Sequence, residues 1–274
     1  MKHATYDDYH LDDTARTESA LLSVWPRLGD FHEDLVLVGG LVPRYICRSR
    51  EEDIWQPHTL DVDLGIALAA GGTMYAPLSH RLTSEGFELK GGRFQKITKS
   101  ATLYVDFLTE RSSDTAPISV QVDDVPANAF FGIDRALCTY RKVLIQGKDL
   151  NGGNVRETVK VCEIGPFLCL KLQAYDRRAE PKDLFDVIYS VLNYDGGVAA
   201  AVEAFQAEQA AKNLAYPIAQ CVLEERFRDE QEKGPQAYAT FCLGEFDPGA
   251  GTDGNFKHAA LAAEAVTVVR QLLG

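Results

Sequence analysis

The sequence lacks the features that mark several common classes of protein. No apolar run approaches the roughly 20 residues that a membrane-spanning helix needs. The first residues show no basic segment followed by an apolar one, so no secretory signal is recognisable and a cytoplasmic protein is expected. The six cysteines contain no C-x-x-C pair, so we expect reduced thiols in the core. A P-loop and a Ser-His-Asp pattern are also missing.

The size and charge of the chain limit what it can bind. Its 274 residues can form one large core or two modest ones. The net charge of −12 disfavours broad, sequence-independent binding to nucleic acid, which depends on neutralising phosphates. The charge is uneven, because residues 1–34 and 200–274 each carry −5 and leave −2 for the middle. A local basic path in the middle of the chain is therefore compatible with the composition.

Apolar periodicity predicts a mixed α/β fold whose strands come mostly before residue 165 and whose helices dominate after it. We expect an α/β (α+β) lobe over residues 1–164 and a helical lobe over residues 165–274. The predicted strands are 35–38, 59–68, 103–108, 118–122 and 158–162, with a hairpin over 87–97. The predicted helices are 12–30, 78–84, 166–179, 182–192, 198–233 and 256–273, with a further helix starting near Leu41.

Three carboxylates lie inside the predicted strands. Asp61 and Asp63 are two residues apart, so their side chains point to the same side of one strand. Asp106 stands between Val105 and Phe107 in another strand, where an inward, unpaired carboxylate is costly. Carboxylates that point together repel unless a cation lies between them, and hard ions such as Mg²⁺ bind such oxygens. The pattern therefore predicts a metal–phosphate site.

A glycine pair follows the first predicted strand. Gly39 and Gly40 end the apolar run that begins at Leu35, and on their own they indicate a tight turn. Beside a metal–phosphate site, the same turn would let the backbone approach a phosphate closely. The N–H groups of the helix expected from Leu41 would then receive the phosphate's charge.

Together these residues resemble the DNA-polymerase-β-type nucleotidyltransferase superfamily. Its pattern is a glycine pair after a strand, an acid-x-acid strand about twenty residues later, and a third acid on a later strand. Gly39-Gly40, Asp61 with Asp63, and Asp106 match these positions. The chain most resembles the AbiEii-type branch of abortive-infection and type IV toxin proteins, over about residues 35–193. The resemblance implies a nucleotidyltransferase lobe, a helical lobe and an active cleft between them.

The resemblance also implies roles for individual residues. Asp61, Asp63 and Asp106 would bind Mg²⁺ or Mn²⁺, Gly39 and Gly40 would cradle the phosphates of a nucleoside triphosphate, and Asp106 would help to deprotonate the acceptor. The branch carries a Lys, an Arg and a Lys/Arg-Asp pair on a later helical segment, which Lys171, the basic pair Arg177-Arg178 and Lys182-Asp183 match. Arg44, Lys171 and Asp183 are thus candidate nucleotide-binding residues.

The residues themselves allow other interpretations of these later positions. Lys171 stands beside the core residue Leu172, so helical spacing alone makes it a solvated position. Asp183 could stabilise the first turn of its helix, and Arg44 could belong to a solvated charged face.

The acceptor is less well defined than the reaction. By resemblance it is an RNA end such as that of tRNA, reached along Arg44, Arg48, Arg93, Lys96 and Lys99, and the protein would be a toxin with an antitoxin partner. A protein side chain or a small hydroxylated molecule fits the acidic composition equally well. A third hypothesis is a non-catalytic nucleotide-binding or regulatory protein that kept the fold. None of these hypotheses involves a membrane.

Overall fold

The protein has a mixed α/β fold. The structure is a computed structural model, which describes residues 4–10, 12–48, 55–67, 77–122, 124–244 and 251–274. The strands are β1 (Leu35–Val38), β2 (Asp61–Ile66), β3 (Glu88–Lys90), β4 (Arg93–Ile97), β5 (Thr102–Glu110), β6 (Ser119–Val122), β7 (Val125–Phe130), β8 (Tyr140–Lys148) and β9 (Asn154–Cys162). The helices are α1 (Asp13–Val24), α2 (Pro43–Ile46), α3 (Leu78–Ser84), α4 (Ile133–Cys138), α5 (Ile164–Arg178), α6 (Pro181–Asn193), α7 (Val198–Ala210), α8 (Tyr216–Arg226), α9 (Lys233–Leu243) and α10 (Gly251–Leu273).

All nine strands of the described residues belong to one mixed sheet. Its main order is β3-β4-β5-β2-β1-β9-β8, and β7 pairs with β5 while β6 pairs with β7. β2 runs antiparallel to β1 and parallel to β5. Two strands share one edge of β5, because β4 pairs with its first half and β7 with its second half. The predicted mixed sheet followed by helices is therefore confirmed, and the division at residue 164 into two separate domains stays a prediction.

Several predicted elements differ from the observed ones in length. The helix predicted over residues 12–30 ends at Val24, and a 3₁₀ helix continues from Trp25 to Asp34. Pro26 explains the change, since proline lacks the N–H of the next helical hydrogen bond and its ring disturbs the preceding turn. β2 is shorter than predicted, and Leu68 lies outside the described residues.

The sequence interpretation omitted β7, α4 and β8. Pro126 lies within β7, where a proline argues against a strand, and it is tolerated in the antiparallel pairing with Gln121 of β6. β8 has one short apolar run, Val143 to Ile145, between polar residues, and it forms a long hairpin with β9 around the turn at Gly152. A single run of three apolar residues without alternation is a weak strand pattern and is difficult to recognise.

Two other expectations concern cysteines and membranes. All six cysteines are free thiols. Cys162, Cys169 and Cys242 are buried as expected, but Cys138 and Cys221 are exposed, so their assignment to the core was wrong. No helix among the described residues is both long enough and apolar enough to span a bilayer.

Helix α5 is held over one face of the sheet by specific contacts. The buried Gln173 side chain accepts a hydrogen bond from the Phe131 N–H at 3.1 Å and donates one to the Phe131 carbonyl at 2.9 Å. At the N-terminal end of α5, Gly165 faces the Ala204 carbonyl of α7. These contacts hold α5 between the sheet and the remaining helices, and they place its polar residues above β2 and β5.

We expect Gly165→Ala to destabilise the protein by about 1–3 kcal/mol, because a Cβ there would lie 2.5 Å from the Ala204 carbonyl oxygen. Gly29→Ala is the matched control, since its Cβ would meet no atom within 4 Å, and it should be neutral or slightly stabilising. Denaturant unfolding of both variants tests this packing. The denaturant concentrations at the unfolding midpoint are compared, provided that the free energy of unfolding depends equally steeply on denaturant. Equal midpoints would contradict the close approach of α5 and α7.

Candidate functional site

A cavity of about 530 Å³ lies between the sheet and helix α5. Its floor is one face of β2, β5 and β7, and its roof is α5 with the first turn of α6. Six of the eight predicted site residues line it, while Arg44 and Asp183 do not. The six are Gly39, Gly40, Asp61, Asp63, Asp106 and Lys171.

Strand register brings the three carboxylates to the floor of this cavity. Asp63 on β2 is the direct partner of Asp106 on β5, and Asp61 is the partner of Tyr104. Along β5, alternate residues are buried below the sheet, so Asp106 lies on the opposite, partly exposed face. Neighbouring strands are about 4.8 Å apart, so Asp63 and Asp106 are next to each other. Their charges must be balanced by nearby cations.

The glycine turn after β1 closes one end of this acidic floor. Gly39 has φ +73°, and a Cβ there would lie 1.9 Å from an Asp63 carboxylate oxygen. A side chain at residue 39 would therefore both strain the backbone and displace Asp63. Gly40 is similarly close to Thr59, whose Oγ1 would be 2.8 Å from an added Cβ. The turn thus allows the backbone to lie directly against the carboxylates.

The helix expected to begin near Leu41 is present and short. Gly39–Leu41 form a 3₁₀ turn, and α2 has four residues that end at Ile46. One helical turn has little macrodipole, because the dipole grows from many aligned peptide units. The expectation that the N–H groups at this turn receive a phosphate's charge stays a prediction. Most of the positive charge at the cavity comes from side chains.

The Arg93 guanidinium from β4 lies on the carboxylates. Its Nε donates to Asp106 Oδ1 at 2.8 Å, and its Nη2 donates to Asp61 Oδ1 at 3.0 Å and also to Asp106. The guanidinium carbon is 4.2 Å from the centre of the Tyr104 ring, within the range of a cation–π contact. Arg93 had been expected on an RNA path, and its actual position is inside the acidic site.

These contacts change the electrostatics of the site. Burial alone would lower the pKa of Arg93, but the hydrogen bonds to Asp106 and the charge of Asp61 outweigh it and raise that pKa. The guanidinium is therefore a permanent positive charge between two acids, the role that a divalent cation would have.

The carboxylates have the donor chemistry that Mg²⁺ or Mn²⁺ prefers. Among the described residues, however, no group of three or more His, Cys, Asp or Glu side chains is arranged to hold a metal ion. Asp61 and Asp106 are instead directed to Arg93. The residues fit a divalent ion chemically, and binding would require Arg93 to leave and the carboxylates to turn toward one point.

The roof of the cavity is basic and is supported by two buried acids. Lys171 and Lys182 both donate to Asp186 Oδ2, at 2.6 and 2.7 Å. Asp183 accepts two hydrogen bonds from Arg178, at 2.6 and 2.7 Å, and lies 3.4 Å from the Lys171 Nζ. Neither acid is exposed to solvent, so this cluster bears three cations and two anions in a largely buried site. The excess positive charge faces the carboxylates across the cavity.

The two lysines of this cluster have opposite pKa shifts. Burial disfavours the charge of Lys171, but Asp186 and Asp183 outweigh that effect and raise its pKa. At Lys182, burial dominates over Asp186 and the pKa is lowered. Lys171 is 6% exposed, so its interpretation as a solvated helix position was wrong. Its ammonium lines the cavity but is already hydrogen-bonded to Asp186.

The two candidate residues that do not line the cavity have structural contacts. Asp183 lies in the first turn of α6 and pairs with Arg178 and Lys171, behind the cavity wall. Arg44 forms an ion pair with Glu18 of α1, and the Tyr45 hydroxyl donates to the same carboxylate. The structure therefore gives Asp183 an indirect position at the site and places Arg44 outside it.

Three cavity residues with potential binding roles were not selected from the sequence. Asn128 and Phe130 belong to β7, the strand that Pro126 obscured. Arg177 had been noted only as part of a basic pair, yet its guanidinium carbon lies 4.0 Å from the centre of the Phe130 ring. Recognising β7 as a strand would have placed Asn128 and Phe130 on one face, since they are two residues apart.

Comparisons with known proteins add no assignment for this site. A scan against protein-family models and a search of curated proteins both find no match to this chain.

We expect Arg93→Ala to bind Mn²⁺ at least about tenfold more tightly than the wild type, because the guanidinium competes for Asp61 and Asp106 through charged hydrogen bonds. Calorimetric titration measures the affinity, and the increase in unfolding temperature with Mn²⁺ gives a second readout. Lys90→Ala is the control. Lys90 is the exposed partner of Arg93 on β3, and its substitution removes one positive charge without changing any contact to the acids. Equal Mn²⁺ affinity in all three proteins would show that Arg93 does not compete with a metal.

We expect Asp186→Asn to destabilise the protein by about 3–5 kcal/mol, because it leaves two buried ammonium groups without their shared anion. Lys171→Met should cost less, since Asp186 keeps Lys182 and Asp183 keeps Arg178. Denaturant unfolding measures both changes. If Lys171→Met lowers the free energy of unfolding as much as Asp186→Asn does, Lys171 is mainly a structural residue.

Proposed function

We propose that this protein is a metal-dependent nucleotidyltransferase that moves a nucleoside monophosphate from a nucleoside triphosphate to an acceptor hydroxyl. The carrying observation is the opposition of charges across one cavity. Asp61, Asp63 and Asp106 lie on its floor beside the Gly39-Gly40 turn, and a cluster of Lys and Arg side chains forms its roof. Phosphoryl transfer requires carboxylates that bind metal ions and, facing them, positively charged side chains that bind phosphates.

Each group would have a defined task. Asp61, Asp63 and Asp106 would hold Mg²⁺ or Mn²⁺, and the bound ions would neutralise the charge on the reacting phosphates. Arg178, Lys171 and Lys182 line the cavity and would contact the β- and γ-phosphates. Both ammonium groups are hydrogen-bonded to Asp186, so each would have to turn away from that carboxylate to reach a phosphate.

The transfer consists of one bond formed and one bond broken at the α-phosphorus. The acceptor oxygen forms a bond to the α-phosphorus, the bond from that phosphorus to the bridging β-oxygen breaks, and pyrophosphate leaves with the electron pair. The acceptor proton passes to a carboxylate, and Asp106 is our candidate because it lies on the central strand of the floor. The protein's main contributions are positioning and electrostatic stabilisation.

The contacts of the basic residues bear on the acceptor. Of the residues expected to form an RNA path, Arg44 binds Glu18, Arg93 binds the carboxylates, and Lys96 donates to the Glu85 carbonyl at 2.6 Å. Arg48 likewise donates to the Asp195 carbonyl at 2.6 Å. These engagements favour an acceptor that needs no continuous basic path, such as a protein side chain. An RNA end remains part of the proposal through the resemblance to toxin proteins, together with an antitoxin partner.

A second candidate function is nucleotide binding without turnover. The observation that favours it is the bidentate contact of Arg93 with Asp106, which keeps the carboxylates away from a metal. In such a protein the basic roof would still bind a triphosphate.

We expect wild-type protein with Mg²⁺ or Mn²⁺ to release pyrophosphate and to transfer label from an α-³²P-nucleoside triphosphate to RNA or protein in a cell extract. Asp63→Asn should lower the rate at least about a hundredfold, because it removes a charge at the reacting phosphates while keeping the size of the side chain. Asp114→Asn, at an exposed residue away from the cavity, is the control. The labelled fraction identifies the acceptor class.

Two outcomes would change the conclusion. Binding of the triphosphate without pyrophosphate release would support the non-catalytic function. Absence of both binding and release in the wild type would refute a nucleotide site in this cavity.

A further inference from the structure

The second half of the cavity is apolar and lies beside the charged half. Its floor continues along the same face of the sheet as Asp106, because Leu108 follows two residues later on β5. Side chains from the sheet, from the residue before β6 and from α5 line it. They are Leu108, Ile118, Phe130, Phe167, Leu170 and Ala174. A ligand bound at the carboxylates and longer than a triphosphate would extend into this space.

One polar side chain interrupts this apolar surface. Asn128 on β7 is the direct partner of Leu108 on β5, and it is exposed to the cavity. Two residues along the strand and one strand across place it roughly 8 Å from Asp106, measured between Cα atoms. Its side-chain amide makes no hydrogen bond to any other described residue, so both its NH2 group and its oxygen are available to a ligand.

The stacked side chains of Arg177 and Phe130 lie next to this amide. The guanidinium of Arg177 packs over the Phe130 ring, and its Nη1 donates to the Ala129 carbonyl at 3.0 Å, which holds it there. Phe130 and Asn128 are on the same face of β7, two residues apart. Aromatic rings and arginine planes are the surfaces on which nucleobases stack in proteins.

We propose that this half of the cavity binds the base of the nucleoside triphosphate, that the base is adenine, and that Asn128 is the residue that selects it. The inference rests on the proposed function, because the triphosphate would be held by the adjacent charged half. The apolar walls would remove the ring from water, the Phe130–Arg177 stack would contact its face, and Asn128 would contact its edge.

The chemistry of the amide is the reason for choosing adenine. In a bidentate contact, one N–H and the oxygen of the asparagine amide match the N7 acceptor and the N6 amino donor of adenine. The same edge of guanine offers two acceptors, O6 and N7, and is read by arginine or lysine. Asn128 therefore satisfies adenine with two hydrogen bonds and leaves guanine with one acceptor unpaired.

Calorimetric titration of the full-length protein with ATP, GTP and inorganic tripolyphosphate, each with Mg²⁺, tests this assignment. The wild type should bind ATP at least about tenfold more tightly than GTP. Asn128→Leu should lose about tenfold in ATP affinity, lose the preference over GTP, and keep its affinity for tripolyphosphate. Asn151→Leu, in the exposed turn between β8 and β9, is the matched control and should behave like the wild type. Asn128 is exposed, so the substitution should leave the unfolding temperature unchanged.

The outcomes separate this inference from the proposed function. If Asn128→Leu keeps the ATP preference, or if the wild type binds ATP no better than tripolyphosphate, the base assignment is overturned while the phosphate site stands. If the wild type binds none of the three ligands, the proposed function fails with it.

Discussion

Three carboxylates can share one face of a sheet only when positive charge lies among them. Parallel pairing of β2 and β5 sets Asp63 directly beside Asp106, and two-residue spacing adds Asp61 to the same face. Two sources of positive charge balance them, Arg93 from β4, which is adjacent to β5, and the basic cluster of α5 and α6 from above. The position of the hairpin that carries Arg93 and the position of α5 are therefore electrostatically linked to the acids. The cavity is the space left between these opposite charges.

The basic roof has its own requirement for support. Lysines are seldom buried unless they are paired. Lys171 and Lys182 share the carboxylate of Asp186, and Arg178 donates two hydrogen bonds to the carboxylate of Asp183. The pairing joins the end of α5 to the start of α6, so that the turn between them presents cations to the cavity. Because removal of one partner would leave a buried charge, the same groups that offer charge to a ligand also hold the two helices together. Structure and proposed function thus depend on one cluster.

The main elements of the site could be predicted from local sequence. The apolar run ending at the glycine pair predicted β1 with the correct bounds, and the carboxylates were placed correctly in strands that are observed as β2 and β5. Prediction failed where local pattern and tertiary environment disagree. Pro126 concealed β7, and it is tolerated there because it is the second residue of the strand and lies before the pairing with β5 begins at Ala127. Lys171 follows a solvated pattern, yet it is buried because two acids twelve and fifteen residues later compensate its charge.

The sequence by itself determined the strand that carries Asp61 and Asp63, the common direction of these two side chains, and the turn at Gly39 that only glycine permits. These properties depend on residues within a few positions of each other, where alternation and backbone sterics are decisive. Only the tertiary structure decided that Arg93 lies on the acids, that Asp183 supports the roof from behind, and that Asn128 stands in the apolar half of the cavity. Those placements depend on strand register and on helix packing between segments that are far apart in the sequence. The charge or polarity of a side chain does not by itself specify which distant residue it will contact.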